Sequence, residues 1–138
     1  MKFLKFGLML AATAAFATGC ALGPEANSTE DRDRLGAVEF KINDLVLDFV
    51  TCIDGDKTDW KYFSVSEEGD MVLAFAFDEP TAGGKVVIYK ATGEEFYTRR
   101  FTPGARNLQE FHALPGHYYL EITCETYESE YTLEVTYK

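Results

Sequence analysis

The sequence has few of the residues that catalysis and nucleic-acid binding require. It contains two histidines, and it lacks the His-Glu-x-x-His and Gly-x-Ser-x-Gly patterns of zinc peptidases and serine hydrolases. Lysine and arginine number 13 against 23 acidic residues, so the net charge is −10. Because a surface of this charge repels phosphate backbones, nucleic acid is excluded as a partner. We therefore expect a protein that is not an enzyme.

The sequence also lacks an apolar run long enough to cross a bilayer. The stretch "FGLMLAATAAFA" follows Lys2 and Lys5 near the N-terminus and is too short for a transmembrane helix. A basic start followed by a short apolar stretch is typical of an export signal. We expect residues 1–19 to be a signal peptide. Its removal takes two lysines away and changes the net charge from −10 to −12.

The apolar stretch ends in "ATGC", which resembles the lipobox of bacterial lipoproteins at Thr18, Gly19 and Cys20. Ala17 departs from the leucine that is usual there, and an ordinary secretory signal remains the alternative. The resemblance implies cleavage before Cys20 and acylation of that cysteine, so a membrane would be a partner through the N-terminal lipid. Ala21 stands where an Asp would resemble the inner-membrane retention signal, which favours the outer membrane.

Cysteine is scarce, and the number of cysteines is odd. An exported protein with three of them needs an explanation for the unpaired one. If Cys20 carries lipid, Cys52 and Cys124 remain to form a disulfide in an oxidising compartment. Cys124 continues an alternating apolar face of its strand, which places it toward a core.

Proline and glycine separate the chain into short segments with a period of two. Residues 20–34 are mostly polar, and we expect them to be a lipidated cysteine followed by a flexible acidic tether. In residues 35–138 apolar and polar positions alternate. "HYYLEITC" and "YTLEVTY" alternate cleanly, whereas "MVLAFAF" is apolar on both sides and should be a central strand. No segment has a sustained helical period. We predict an all-β, antiparallel β-sandwich or jelly roll of about eight strands.

Four segments in order resemble the bacterial pre-peptidase C-terminal domain. They are "GDKTDWKYFSVSEEGDMVLAF", "GGKVVIYKATGEEF", "LPGHYYLEIT" and "YTLEVTY", and together they span about residues 45–138. The resemblance implies a non-catalytic β-sandwich of the kind found beside secreted peptidases. No peptidase precedes the domain in this sequence, so we expect a stand-alone domain on a lipid tether.

The stretch "DGDKTDW" raises the question of a calcium site. Asp54, Asp56 and Asp59 follow Cys52, and a second acidic loop follows Cys124. A disulfide would bring the two loops together, and calcium prefers such oxygen ligands. The candidate ligands are Asp54, Asp56, Asp59, Glu125, Glu128 and Glu130. The alternative is that these aspartates only shape a turn before a strand.

Aromatic residues offer a second kind of site. Flat rings on a strand surface stack on sugar rings, although most aromatic residues of a sandwich fill its core. The candidates for ligand stacking are Trp60, Tyr97, Tyr119 and Tyr127. The sequence therefore predicts a lipid-anchored, non-catalytic envelope protein with a binding domain for an unknown protein or polysaccharide. The alternatives are a carbohydrate-binding module and an accessory or inhibitor of a secreted peptidase.

Overall fold

The computed structural model describes residues 30–100 and 104–138, and Cys20 and the predicted signal peptide lie outside this part of the chain. Within the described residues nine strands form. They are β1 (Val38–Glu39), β2 (Val46–Val50), β3 (Thr58–Val65), β4 (Gly69–Phe77), β5 (Gly84–Lys90), β6 (Glu95–Arg100), β7 (Asn107–Ala113), β8 (Gly116–Cys124) and β9 (Ser129–Tyr137). A 3-10 turn, Arg34–Gly36, directly precedes β1.

The strands form two sheets that pack face to face. The five-stranded sheet has the order β1-β3-β8-β5-β6, and the four-stranded sheet has the order β2-β9-β4-β7. The long strands pair antiparallel, and the two-residue β1 joins the edge of its sheet parallel to β3. The predicted all-β sandwich is confirmed.

The alternation read from the sequence defines the core. Tyr118, Leu120 and Ile122 of β8 are buried, and so are Leu133 and Val135 of β9. Because neighbouring side chains on a strand point to opposite faces, the polar residues between them line the outer surfaces. The last aromatic position of β9 departs from this pattern. Tyr137 is 41% exposed because it lies at the end of its strand, where its hydroxyl donates to the carbonyl oxygen of Glu67.

Strand β4 is central, as its two-sided apolar sequence predicted. It lies between β9 and β7, and Met71, Leu73 and Phe75 are buried against the other sheet. On its outer face Ala74 is also buried. A strand with partners on both sides and side chains buried on both faces needs small or apolar residues throughout.

The segment before β1 contacts the sandwich at two places. Asp31 is 5% exposed, and its carbonyl oxygen accepts a hydrogen bond of 2.8 Å from the amide of Trp60. Farther along, Phe40 is buried in the core. Asp31 thus packs on the sandwich four residues before Leu35, where the sequence predicts the domain to begin. Periodicity did not reveal this segment, since it forms no strand.

Cys52 and Cys124 form a disulfide, as predicted, with their α-carbons 5.2 Å apart. Cys52 follows β2 of the four-stranded sheet, and Cys124 ends β8 of the five-stranded sheet. The bond therefore ties the two sheets together at one end. A disulfide inside a small domain indicates an extracellular or periplasmic protein. Among residues 30–100 and 104–138, no helix has the length and apolar character needed to span a membrane.

Removing this disulfide should lower stability strongly. The bond closes a loop between residues 72 positions apart, which corresponds to about 4 kcal/mol in the chain-entropy model. We expect the Cys52→Ser, Cys124→Ser double variant to unfold at a midpoint lower by roughly 15 °C or more. Thermal melts followed by circular dichroism measure this. Coincident melts, or two free thiols in the native protein, would contradict it.

Candidate functional site

The outer face of the five-stranded sheet carries a row of tyrosines. The strand register places Tyr62 of β3 opposite Tyr119 of β8, and Tyr119 opposite Tyr89 of β5. Neighbouring strands lie about 4.8 Å apart, so three aromatic rings stand side by side across the strands. We call Tyr62, Tyr119 and Tyr89, together with Trp60, the aromatic platform.

Two ring pairs give the platform its shape. The rings of Trp60 and Tyr89 stack with centroids 5.4 Å apart and planes inclined by 19°. The rings of Tyr62 and Tyr119 lie 5.7 Å apart at 32°. All four side chains are half-buried. Each aromatic body is thus supported by its neighbours, while part of the ring surface faces solvent.

Polar groups surround the platform. The hydroxyl of Tyr89 donates a 2.7 Å hydrogen bond to Glu121, which lies beside Trp60 in the register. Burial raises the pKa of Tyr89, and the hydrogen bond to Glu121 adds to the effect, so the phenol stays protonated. The guanidinium carbon of Arg34 lies 4.2 Å from the ring centroid of Tyr119. The rings of His117 and Tyr62 form an edge contact with centroids 6.2 Å apart.

The predicted stacking residues separate into two groups. Trp60 and Tyr119 lie on the platform. Tyr97 does not, because it is opposite the buried Ile88 and its hydroxyl donates to Gln109 of the four-stranded sheet. Tyr127 is 61% exposed in the loop between β8 and β9, outside the strands that carry the platform.

Two platform residues were missed by sequence reasoning. Tyr62 lies two positions after Trp60, so the period of two was a signal that could have placed it on the same face. Tyr89 had no such signal, because its position depends on which strands are neighbours. The order of strands in the sheet depends on long-range pairing, and the local periodicity of the sequence does not indicate it.

A cluster of buried charges lies on the inner side of the same strand, β3. Asp31, Asp48 and Asp59 each place a carboxylate oxygen within 4.8 Å of the others. The ammonium of Lys61, which is 2% exposed, donates to Asp31 at 3.0 Å and to Asp48. We call these four residues the acidic clasp. It joins the N-terminal segment to both sheets.

The clasp shifts the titration of its members. Burial alone would lower the pKa of Lys61, but the carboxylates of Asp48 and Asp31 outweigh burial and raise that pKa. Burial raises the pKa of Asp59 to about 7, and the charge of Asp31 contributes to the rise. The hydroxyl of Tyr131 donates a 2.9 Å hydrogen bond to Asp59 and acts in the opposite direction.

Two carboxylate oxygens near the clasp lack a hydrogen-bond partner among the described residues. They are Oδ1 of Asp31 and Oδ1 of Asp56, and both are buried. Burial raises the pKa of Asp56, and the charge of Asp31 raises it further. An unpaired buried carboxylate oxygen is costly, so a cation, a proton or a water molecule is needed there.

The predicted calcium ligands do not gather as expected. Of that set, Asp59 alone belongs to the acidic clasp, and Asp56 is buried near Asp31. Asp54 is exposed and pairs with Lys57 at 3.5 Å, while Glu125 pairs with Arg100 at 2.9 Å. Glu128 and Glu130 are exposed. The partners of Asp59 come instead from the N-terminal segment and β2, which the sequence does not place near "DGDKTDW".

A serine and a histidine also meet on the platform side. The hydroxyl of Ser64 lies 2.8 Å from Nδ1 of His117, across the β3 and β8 pairing. In a hydrolytic site a carboxylate orients such a histidine. The carboxylates that contact a histidine in the described chain, Glu68 and Asp70, bond to His112 instead. Among the described residues, those two carboxylates thus orient His112 and not the histidine that contacts Ser64.

These features define a β-sandwich with an aromatic outer face, and similar folds are known. A pre-peptidase C-terminal domain of a Bacillus anthracis collagenase superposes with a TM-score of 0.60 at 20% identity, covering 72% of this chain and 93% of that one. CorA, a surface-associated copper-binding protein of Methylomicrobium album BG8, gives a TM-score of 0.53 at 6% identity, covering 74% and 98%.

The chain therefore has a pre-peptidase C-terminal-like fold, as the sequence resemblance predicted. No protein-family model matches the sequence, and no curated protein matches it significantly. At these identities the similarity concerns the fold and does not transfer a ligand.

The raised pKa of Asp59 gives stability a definite pH dependence. The unfolded-state pKa of an aspartate is about 3.9, so between about pH 4 and pH 7 the folded state binds the extra proton. The contribution of Asp59 to the free energy of unfolding is fully present below about pH 4 and is lost as the pH rises through 7. In EDTA, we expect the wild type to lose more thermal stability between pH 5 and pH 8 than Asp59→Asn does.

The control for this prediction is Asp54→Asn, which removes an exposed carboxylate from the loop just before β3. Its pH profile should follow that of the wild type. Parallel profiles for wild type and Asp59→Asn would show that Asp59 does not titrate in this range.

Proposed function

We propose that the protein is a non-catalytic binding domain of the cell envelope and that its ligand is an uncharged polysaccharide. The observation that carries the proposal is the aromatic platform, in which Trp60 and three tyrosines stand together on the outer face of one sheet. An isolated exposed aromatic residue needs no explanation, but a contiguous aromatic patch on a small domain favours a binding surface.

The chemistry of the platform fits sugar rings. Their apolar C–H faces stack on aromatic faces, and their hydroxyls need hydrogen-bond partners at the edges. Glu121 accepts a hydrogen bond beside the rings. The net charge of −10 opposes an acidic polysaccharide, so an uncharged one is favoured.

Trp60 is the only tryptophan in the sequence and therefore reports directly on the platform. We expect uncharged polysaccharides on a screening panel to change its fluorescence saturably. Tyr62→Ala should weaken binding about 2- to 10-fold, which corresponds to about 0.5–1.5 kcal/mol for one aromatic contact. The matched control is Tyr127→Ala, which removes an exposed tyrosine outside the platform. No binding, or equal loss in both variants, would refute the proposal.

We further propose a calcium ion beside the acidic clasp. The buried Oδ1 atoms of Asp31 and Asp56 have unused acceptor capacity, and Asp59 lies within reach of Asp31. Lys61 neutralises the other oxygen of Asp31 and one of Asp48, but the cluster keeps an excess of negative charge. Calcium takes 6 to 8 oxygen ligands, and carboxylates with loop carbonyls are its usual partners. The donor set therefore fits calcium, which would secure the N-terminal segment to the domain.

Calcium should stabilise the folded state if this site exists. We expect the melting temperature of the full domain to be several degrees higher in millimolar calcium than in EDTA, because a ligand of the native state shifts unfolding. Asp56→Asn should abolish most of the difference, whereas the exposed Asp54→Asn should retain it. Identical melts of the wild type in calcium and in EDTA would exclude the ion.

We propose that Cys20 anchors this domain to a membrane, which is the outer membrane if the cell has one. The support is the "ATGC" sequence and the pairing of the other two cysteines with each other. Ten residues separate Cys20 from Asp31, which is packed on the domain. A chain of ten residues spans at most about 35 Å, so the binding domain would stay close to the membrane.

Mass spectrometry of the native N-terminal peptide tests the anchor. We expect Cys20 to be the first residue and to carry acyl chains, and Cys20→Ser should release the domain into the soluble fraction. An unmodified Cys20, or a mature N-terminus elsewhere, would contradict the lipid anchor without affecting the proposal for the platform.

A further inference from the structure

The segment from Asp31 to Phe40, which we call the N-terminal strap, is fixed to the domain at both ends. At its start Asp31 enters the acidic clasp and accepts the amide hydrogen bond of Trp60. At its end Phe40 is buried in the core, and its amide donates to the carbonyl oxygen of Tyr62 at 3.0 Å. The strap therefore runs along β3, beside two residues of the aromatic platform.

A tight turn in the middle of the strap sets its path. The Asp33 carboxylate accepts hydrogen bonds from the amides of Leu35 and Gly36 at 2.9 and 3.2 Å. Gly36 lies against the backbone of Glu30, and a β-carbon on Gly36 would be 1.6 Å from the carbonyl oxygen of Glu30. The turn is thus possible only with glycine, and it fixes the position of the neighbouring Arg34.

Arg34 extends from this turn over the platform. Its guanidinium carbon lies 4.2 Å from the centroid of the Tyr119 ring, and Nη2 donates to the carbonyl oxygen of Ala91 in the β5–β6 turn. A β-carbon on Gly93 would stand 3.1 Å from Nη1, so the β5–β6 turn leaves little spare room for this side chain. The arginine therefore bridges from the strap, past β3 and β8, to the far hairpin.

We propose that the strap is self-occluding: Arg34 covers the face of Tyr119 on which a ligand ring would stack, and a ligand must displace it. The inference rests on the proposed function of the platform. A guanidinium at 4.2 Å occupies the distance at which a sugar ring would contact the tyrosine, and the two cannot share one face. The cation–π contact and the hydrogen bond to Ala91 thus compete with the ligand.

The geometry also decides which part of the strap moves. Asp31 and Phe40 are buried, whereas Leu35, which follows Arg34, is 99% exposed. Displacement therefore requires only that the Arg34 side chain rotate away while both ends of the strap stay in place. The platform is complete in either position, and Arg34 changes the access to Tyr119 alone.

Polysaccharide titrations of Arg34→Ala and Arg32→Ala, followed by Trp60 fluorescence, test the occlusion. Both variants lose one arginine of the same segment, but Arg32 is exposed. We expect Arg34→Ala to bind about 2- to 5-fold more tightly than the wild type, which corresponds to about 0.5–1 kcal/mol. Arg32→Ala should match the wild type. Weaker or unchanged binding by Arg34→Ala would overturn the proposal.

A measurement without ligand separates this inference from the proposed function. Nitration by tetranitromethane, quantified peptide by peptide, reports the access to each tyrosine. Arg34→Ala should raise the nitration rate of Tyr119 and leave that of Tyr127 unchanged. Equal rates for Tyr119 in both proteins would refute the occlusion. Faster nitration without polysaccharide binding by any variant would support the occlusion and refute the proposed ligand.

Discussion

The buried ammonium of Lys61 is the interaction on which the rest of this structure depends. It lies on the inward face of β3, between the buried Asp59 and Phe63. Removing a charge from water costs several kcal/mol, and only close carboxylates make up for it. Those carboxylates come from the N-terminal strap and from β2 of the opposite sheet. One side chain thus determines how three distant segments meet.

The alternation of β3 connects this buried charge to the binding surface. Asp59 and Lys61 point inward to the clasp, while Trp60 and Tyr62 point outward to the platform. The amide of Trp60 donates a hydrogen bond to Asp31 of the strap, so the strap contacts β3 at the residue where the clasp and the platform adjoin. The disulfide closes the same end of the sandwich, where the amide of Cys124 also donates a hydrogen bond to the carbonyl oxygen of Lys57. The position of the aromatic rings is therefore supported from beneath by ionic and covalent links.

Local patterns in the sequence predicted the features that depend on neighbours along the chain. The period of two gave the sandwich, the inward faces of β8 and β9, and the central position of β4. The same period placed Lys61 inward with Phe63 and Val65, so a signal for the buried lysine was present. What the sequence could not supply was the origin of its partners. Asp31 and Asp48 reach Lys61 across 30 and 13 residues, and such contacts follow from sheet order.

Hydrogen exchange at the amide of Trp60 tests most directly whether Lys61 holds the strap to β3. That amide donates to Asp31, so its protection reports the strap, while Leu120 and Leu133 report the two sheets. In Lys61→Met we expect the amide of Trp60 to lose protection before those of the two leucines, whereas the variant Lys57→Met, at an exposed lysine, should behave as wild type. Unchanged protection of Trp60 in folded Lys61→Met would contradict it.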